Sequence, residues 1–175
     1  MKKGRMIPLA VLLFAGFALA AWAQEKKRED VEGKVRAAAF GYYSSTAFGD
    51  ADELMKVTRH PLTIIKDGAI TQRDEKSTRG LLASVAERIK KSGLKNEDKG
   101  KILGNMIAIF DEASVQFVGA STAHLTFVMK LGTKESGDTL GTFLLHRTPE
   151  GMWKVIGEIT DSRPVPPSYL LELPN

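Results

Sequence analysis

Hydrophobic positions in the last third of the chain recur at every second residue. From Thr122 to Leu131, Ala123, Leu125, Phe127, Met129 and Leu131 fall on one face, and Thr122, His124, Thr126, Val128 and Lys130 on the other. A period of two is that of a strand with one face buried. Ser114 to Val118 precedes it and turns at Gly119. Thr139 to Arg147 returns after a polar loop, Gly132 to Asp138. Thr148-Pro149-Glu150-Gly151 then turns into a last strand, Met152 to Thr160. The spacing predicts an antiparallel meander from Ser114 to Thr160, with Ile107 to Phe110 as a further strand or its approach.

Upstream the period lengthens. Val31, Val35, Ala38, Ala39 and Tyr42 share a face at helical intervals, which predicts a first helix to Ala47, ending near Phe48-Gly49. Asp50 caps a short second helix, with Glu53 three residues on and Leu54 and Val57 as its buried edge. His60-Pro61 is expected to stop it, since Pro disfavours helical geometry in the residue before it. Leu62 to Lys66 and Ala69 to Gln72 flank Asp67-Gly68, a pair suited to a tight hairpin turn. A third helix follows, capped by Ser77 or Thr78, with Leu81, Leu82, Val85 and Ile89 as its stripe and Gly93 as its terminator. Leu94 to Lys101 is expected to be a polar loop.

The start of the chain has a different character. Lys2, Lys3 and Arg5 precede an unbroken apolar and small run from Ile7 to Ala21, and Ala21-Trp22-Ala23 fits an A-x-A cleavage site. Spanning a bilayer takes about 20 apolar residues, more than this run offers. Residues 1–23 are therefore expected to be a secretory signal, a retained anchor being the alternative. The protein would be exported, periplasmic or extracellular, and off the membrane once cleaved. Residues 24–30 form a charged, flexible lead-in, 31–162 the folded domain, and 163–175 a Pro-rich extended tail. Without the first 23 residues, the 25 Lys and Arg become 22 against 21 Asp and Glu. A basic grip on nucleic acid is not supported. No cysteine is present, so stability must come from packing.

The order helix, helix, hairpin, helix and long meander resembles that of the NTF2-like (SnoaL-like) cone. So do two local features: Phe48-Gly49-Asp50-Ala51-Asp52-Glu53-Leu54 at the end of the first helix, and Trp153-Lys154-Val155-Ile156 opening the last strand. The resemblance covers roughly Asp30 to Thr160. It implies an α+β cone, with three N-terminal helices and a short hairpin packed on a bent antiparallel sheet and a pocket at the open end. Steroid isomerases of that family carry a helix-1 Tyr eight residues before the Asp of the Gly-Asp step, and Tyr42 matches it. The base would fall near Lys66 or Asp67 and the second acid near Leu145. One role of three is matched, so the resemblance does not carry that activity here.

Candidate chemistry is sparse. Tyr42 could hold a ligand carbonyl or be a core tyrosine satisfied at the rim. His60, His124 and His146 can titrate near neutrality; none lies at i, i+4 from another, so no metal site is expected. His124 and His146 lie on neighbouring strands, where one could serve as a base, or both could belong to a subunit-facing surface. Arg59 could meet an anion at the pocket mouth. Trp153 could line a cavity or plug the core. Glu158 is a polar point in an apolar strand, exposed by default and a site candidate if buried. Gly-rich phosphate loops, G-x-S-x-G elbows and cysteine nucleophiles are absent, and no cofactor is expected. The expectation is a small, largely apolar ligand or a protein partner bound in the cone, with no committed catalytic set and a homodimer formed through the sheet. The alternative is an isomerase, dehydratase or hydrolase that pairs a His or Glu base with Tyr42.

Overall fold

The computed structural model describes residues 9–130 and 138–161, and the side-chain surroundings of residues 24–128 and 140–161. Residues 1–8, the tail from 163 and the loop expected from Gly132 to Asp138, save Asp138 itself, which opens a strand, lie outside the described residues. The chain divides into two units, Met1–Gly33 and Lys34–Asn175. In the first, helix α1 (Leu9–Phe48) is already under way, so residues 24–30, read from their charges as a lead-in, are helical. Arg28 pairs with Glu32 one turn on, at 2.9 Å.

The second unit holds α2 (Ala51–Val57), β1 (Thr58–Lys66), β2 (Ala69–Arg73), α3 (Glu75–Ser92), α4 (Asn96–Asp111), β3 (Ser114–Val118), β4 (Thr122–Lys130), β5 (Asp138–Arg147) and β6 (Trp153–Asp161). The strands form one open sheet in the order β2-β1-β6-β5-β4-β3. The meander and the hairpin are antiparallel as expected, but β1 pairs parallel with β6. The sheet is therefore mixed. Strand β6 would otherwise present a free edge of backbone donors and acceptors, and the hairpin docks there to satisfy it.

Local signals explain most boundaries. Asp50 caps α2 by accepting from the Glu53 amide at 3.1 Å. Glu53 turns away to Lys56 and leaves the reciprocal half of a capping box unmade. The Asp50 amide instead donates to the Ser45 carbonyl at 2.9 Å, closing α1 behind Gly49. Asp67 (φ 51°) and Gly68 (φ 84°) make the expected hairpin turn.

Three expectations shift. Helix α2 ends at Val57 with extended Thr58, so Pro61 lies inside β1 and does not form the stop. Helix α3 is capped by Asp74, which accepts from the Ser77 amide at 2.7 Å; Ser77 sits at the third helical position and is not the cap. The polar stretch after Leu94 and the run to Phe110 form one helix, α4. Its N-cap, Lys95, makes no side-chain cap bond, so the usual start signal is missing. Its buried pair, Met106 and Phe110, is spaced four apart, and that spacing places both on the core side.

The core lies on the inner face of the sheet. Leu62, Ile64, Ala123, Leu125, Phe127, Phe143, Leu145, Trp153 and Val155 are buried there. Val35, Ala38, Ala39 and Tyr42 of α1 are buried with them. Rings meet at its centre: Phe127 and Phe143 at 4.9 Å between centroids, and Phe110 with Phe127 at 5.1 Å. Gly141 makes room for this, because a Cβ there would stand 2.5 Å from Phe127 Cζ.

Candidate functional site

Strand β6 starts in simple alternation, with Trp153 and Val155 buried on the inner face and Lys154 half-exposed on the other. Continued, that alternation would place Gly157 inward and Glu158 outward. Burial follows it as far as Gly157, but the facing does not. Leu145 pairs with Val155 and Leu144 with Gly157, so Ile156 is the extra residue of a bulge. A one-residue bulge swaps the faces of everything beyond it. Glu158 then stands opposite buried Phe143 on one side and buried Ile64 on the other. Its carboxylate has been turned into the core side of the sheet.

Tyr42 reaches it from α1. The hydroxyl donates to Glu158 Oε2 at 2.6 Å, joining residues 116 positions apart. Tyr42 is 3% exposed, and its ring packs edge-on against Phe143 at 4.9 Å. Glu158 keeps part of its surface open. Burial, then the negative charge of Glu158, then the hydrogen bond itself hold the Tyr42 proton in place well beyond the ordinary phenol range; the charge of Arg73 acts weakly the other way. The same two causes, burial first and Glu158 second, raise the pKa of half-buried Tyr43. Tyr43 in turn packs against Phe110 and Phe127 at 5.6 and 5.9 Å.

The other expected residues are placed elsewhere. His124 and His146 are half-exposed on neighbouring strands, as expected, but on the outer face, where Leu144 and Lys154 are their direct partners. Neither can share a ligand with Tyr42. His60 is half-buried in β1 with its ring nitrogens 3.4 Å from Thr58 Oγ1 and 3.3 Å from the Arg73 carbonyl, a bridge from β1 to the end of β2. Arg59 is exposed on β1, beyond the end of α2. Trp153 is buried against Phe117 at 6.0 Å, on the core side and five residues from Glu158. Tyr43, Phe143 and Arg73 belong to the surroundings of the pair and were not singled out from the sequence. Tyr43 is adjacent to Tyr42, and neighbours along a helix do not share a face. Its signal lay in the three-residue step from Phe40, which also meets Phe110.

Among the described residues no group of three or more His, Cys, Asp or Glu side chains could hold a metal ion. Chemically, the arrangement is a carboxylate with one oxygen engaged by a phenol, set in an aromatic and aliphatic wall. It can accept a hydrogen bond or a proton, or face a cation.

No protein-family model matches the chain, and no curated protein matches it. Solved structures similar to it are NTF2-like, ketosteroid isomerase-like and cystatin-like fold proteins. One, a cystatin-like fold protein from Burkholderia xenovorans, is 12% identical, with a TM-score of 0.49 over 78% of this chain and 95% of its own. An NTF2-like protein with a cystatin-like fold from Novosphingobium aromaticivorans is 17% identical, with a TM-score of 0.45 over 90% and 96%. A ketosteroid isomerase-like protein from Erwinia carotovora atroseptica is 12% identical, with a TM-score of 0.43 over 74% and 93%. Such likenesses concern the course of the chain and are silent on the chemistry of the site.

Proposed function

We propose that this chain is an exported NTF2-like domain that binds a small, largely apolar ligand on the inner face of its sheet, with Glu158 and Tyr42 as its polar contact. The observation that carries this reading is the 2.6 Å bond between them. A sheet bulge and a helix together hold one carboxylate, still partly open, against a wall of rings, and few convergent polar groups in an apolar setting are what small-molecule sites use. Support for export comes from the basic start and the 15-residue apolar run of the sequence. Among the described residues no helix is long and apolar enough to cross a membrane.

Native mass spectrometry on the protein purified from an exporting host without denaturation tests both halves of the proposal. The expected mass is that of a chain starting at Gln24 with a discrete bound excess, lost in Glu158→Gln. An uncleaved chain would remove export, and an empty wild-type chain that takes up no apolar probe would remove the ligand.

A second reading is favoured by the same contact. Glu158 as a general base, with Tyr42 as its donor, brings two candidate groups within proton-transfer distance, as an isomerase or dehydratase needs. It predicts turnover that falls with Glu158→Gln, where pure binding predicts only a change in affinity. The outer face, with His124, His146 and Lys154, is the surface through which we propose that two copies pair.

A further inference from the structure

We infer that the ligand of the inner face is an organic cation, an aromatic or aliphatic amine whose ammonium meets Glu158. The inference rests on the ligand-binding reading above and adds the charge of the ligand to it.

The first observation is the bonding of Glu158. Among the described residues its side-chain hydrogen bond is the one from Tyr42, to Oε2, and no Lys, Arg or His forms an ion pair with it. Other carboxylates near the helices are paired with cations at the surface: Asp52 and Glu75 with Arg79, Glu87 with Lys91, and Glu97 with Lys101. Glu158 is the one set between Ile64 and Phe143 on the core face. A carboxylate taken partly out of water without a cation carries a desolvation cost that a bound cation relieves.

The second observation is the wall. Tyr42, Tyr43, Phe127 and Phe143 form a connected set of rings beside this carboxylate; Tyr42, Phe127 and Phe143 are buried, and Tyr43 is the one that keeps part of its surface open. The negative face of the half-open Tyr43 ring attracts an ammonium group, and the part-open carboxylate of Glu158 adds to that attraction. A neutral ligand could offer Glu158 a hydrogen bond but no charge, and an anion would be repelled by it.

Arg73 is a cation whose charge is felt at Tyr42. It stands opposite Leu62, whereas Glu158 and Thr71 both stand opposite Ile64. Arg73 therefore lies two residues further along β2 and flanks the site, and it forms no ion pair with Glu158 among the described residues. It disfavours a dication more than a monocation.

The test is isothermal titration of the full chain at pH 7 with three probes of similar shape: 2-phenylethylamine, 2-phenylethanol and 3-phenylpropionate. The amine is expected to bind at least about tenfold more tightly than the alcohol, with the carboxylate weakest. Glu158→Gln should abolish the advantage of the amine over the alcohol. Glu158→Asp, which retains the charge, should keep part of it and shows that the loss is not a folding defect. Equal affinity for amine and alcohol would overturn the cation and leave the ligand site standing. So would an amine preference that survives Glu158→Gln, since the cation would then be held elsewhere. Failure of all three probes to bind would remove the ligand site along with the cation.

Discussion

The Tyr42 hydroxyl donates to Glu158 across the core, and the ring that carries it rests on Phe143, the residue directly opposite Glu158 on β5. One side chain is therefore held at its ring by packing and at its oxygen by a carboxylate. Tyr42→Phe keeps the first contact and removes the second. It should lower unfolding free energy by about 0.5–1.5 kcal/mol, the range for losing a typical hydrogen bond, since Glu158 is part-open and water can take the donor's place. Glu158→Gln should be milder, because the amide oxygen can still accept. Urea denaturation of both single variants and the double variant would measure the coupling, and additive effects would show that the bond contributes nothing.

Alkaline pH should act through the same residue. The phenol of Tyr42 keeps its proton in the folded protein far above the ordinary value of 10.0 and loses it near that value when unfolded. Below about pH 10 both states hold the proton and stability is unaffected. Above it the unfolded chain has released a proton that the folded chain retains, so stability falls as pH rises, by up to about 1.4 kcal/mol per pH unit per group. The melting temperature should drop between pH 9 and pH 11, and drop less in Tyr42→Phe. An equal drop in both proteins would place the effect elsewhere.

Gly141 should not accept a methyl group. A Cβ would meet three atoms of the Phe127 ring at 2.5 to 3.0 Å. Gly141→Ala is expected to cost about 1–3 kcal/mol, the range for overpacking a filled core. Adding Phe127→Leu to that variant should recover part of the loss, because the obstacle is the ring itself. Paired denaturation curves would show whether the recovery occurs.

Gly49 and Gly93 have nearly the same backbone, with φ of 73° and 68°, and different neighbours. A Cβ on Gly93 meets nothing within 4 Å; one on Gly49 would stand 2.5 Å from the Ala86 amide nitrogen and 2.7 Å from the Leu82 carbonyl. Gly93→Ala should therefore cost only the left-handed penalty, about 1–2 kcal/mol. Gly49→Ala should cost clearly more, since backbone cannot yield as a side chain can. Equal losses in thermal denaturation would show that α1 and α3 can part without cost.

Arg36 closes the end of α4. Its guanidinium donates to the carbonyls of Phe110 and Asp111, and the last turn of α4 has no basic residue of its own. Arg36→Met should destabilise by about 1–2 kcal/mol through lost carbonyl partners and lost charge at the helix end. Arg36→Lys should recover part of the loss, because both bonds leave one nitrogen, Nη1, and an ammonium can donate twice and keeps the charge. Hydrogen exchange at the final turn of α4 would report the loss locally.

The sequence by itself determined the elements whose cause is local. The alternation from Ala123 to Phe127, the helical stripe of Val35, Ala38, Ala39 and Tyr42, the Asp67-Gly68 turn and the Gly93 terminus each follow from period or φ alone. It left α4 unread, because Lys95 offers no cap and its buried positions only make sense against a sheet not yet formed. It also named both partners of the candidate site and paired a His or Glu base with Tyr42 as an alternative, but it could not choose Glu158 over the histidines. Counting along β6 places Glu158 with the outward residues. Only the register against β5 reveals that Ile156 is extra and that the glutamate faces the rings. A strand's own residues specify which positions alternate. Which side they face after a bulge is decided by the neighbouring strands, and here that decision brought Glu158 to Tyr42.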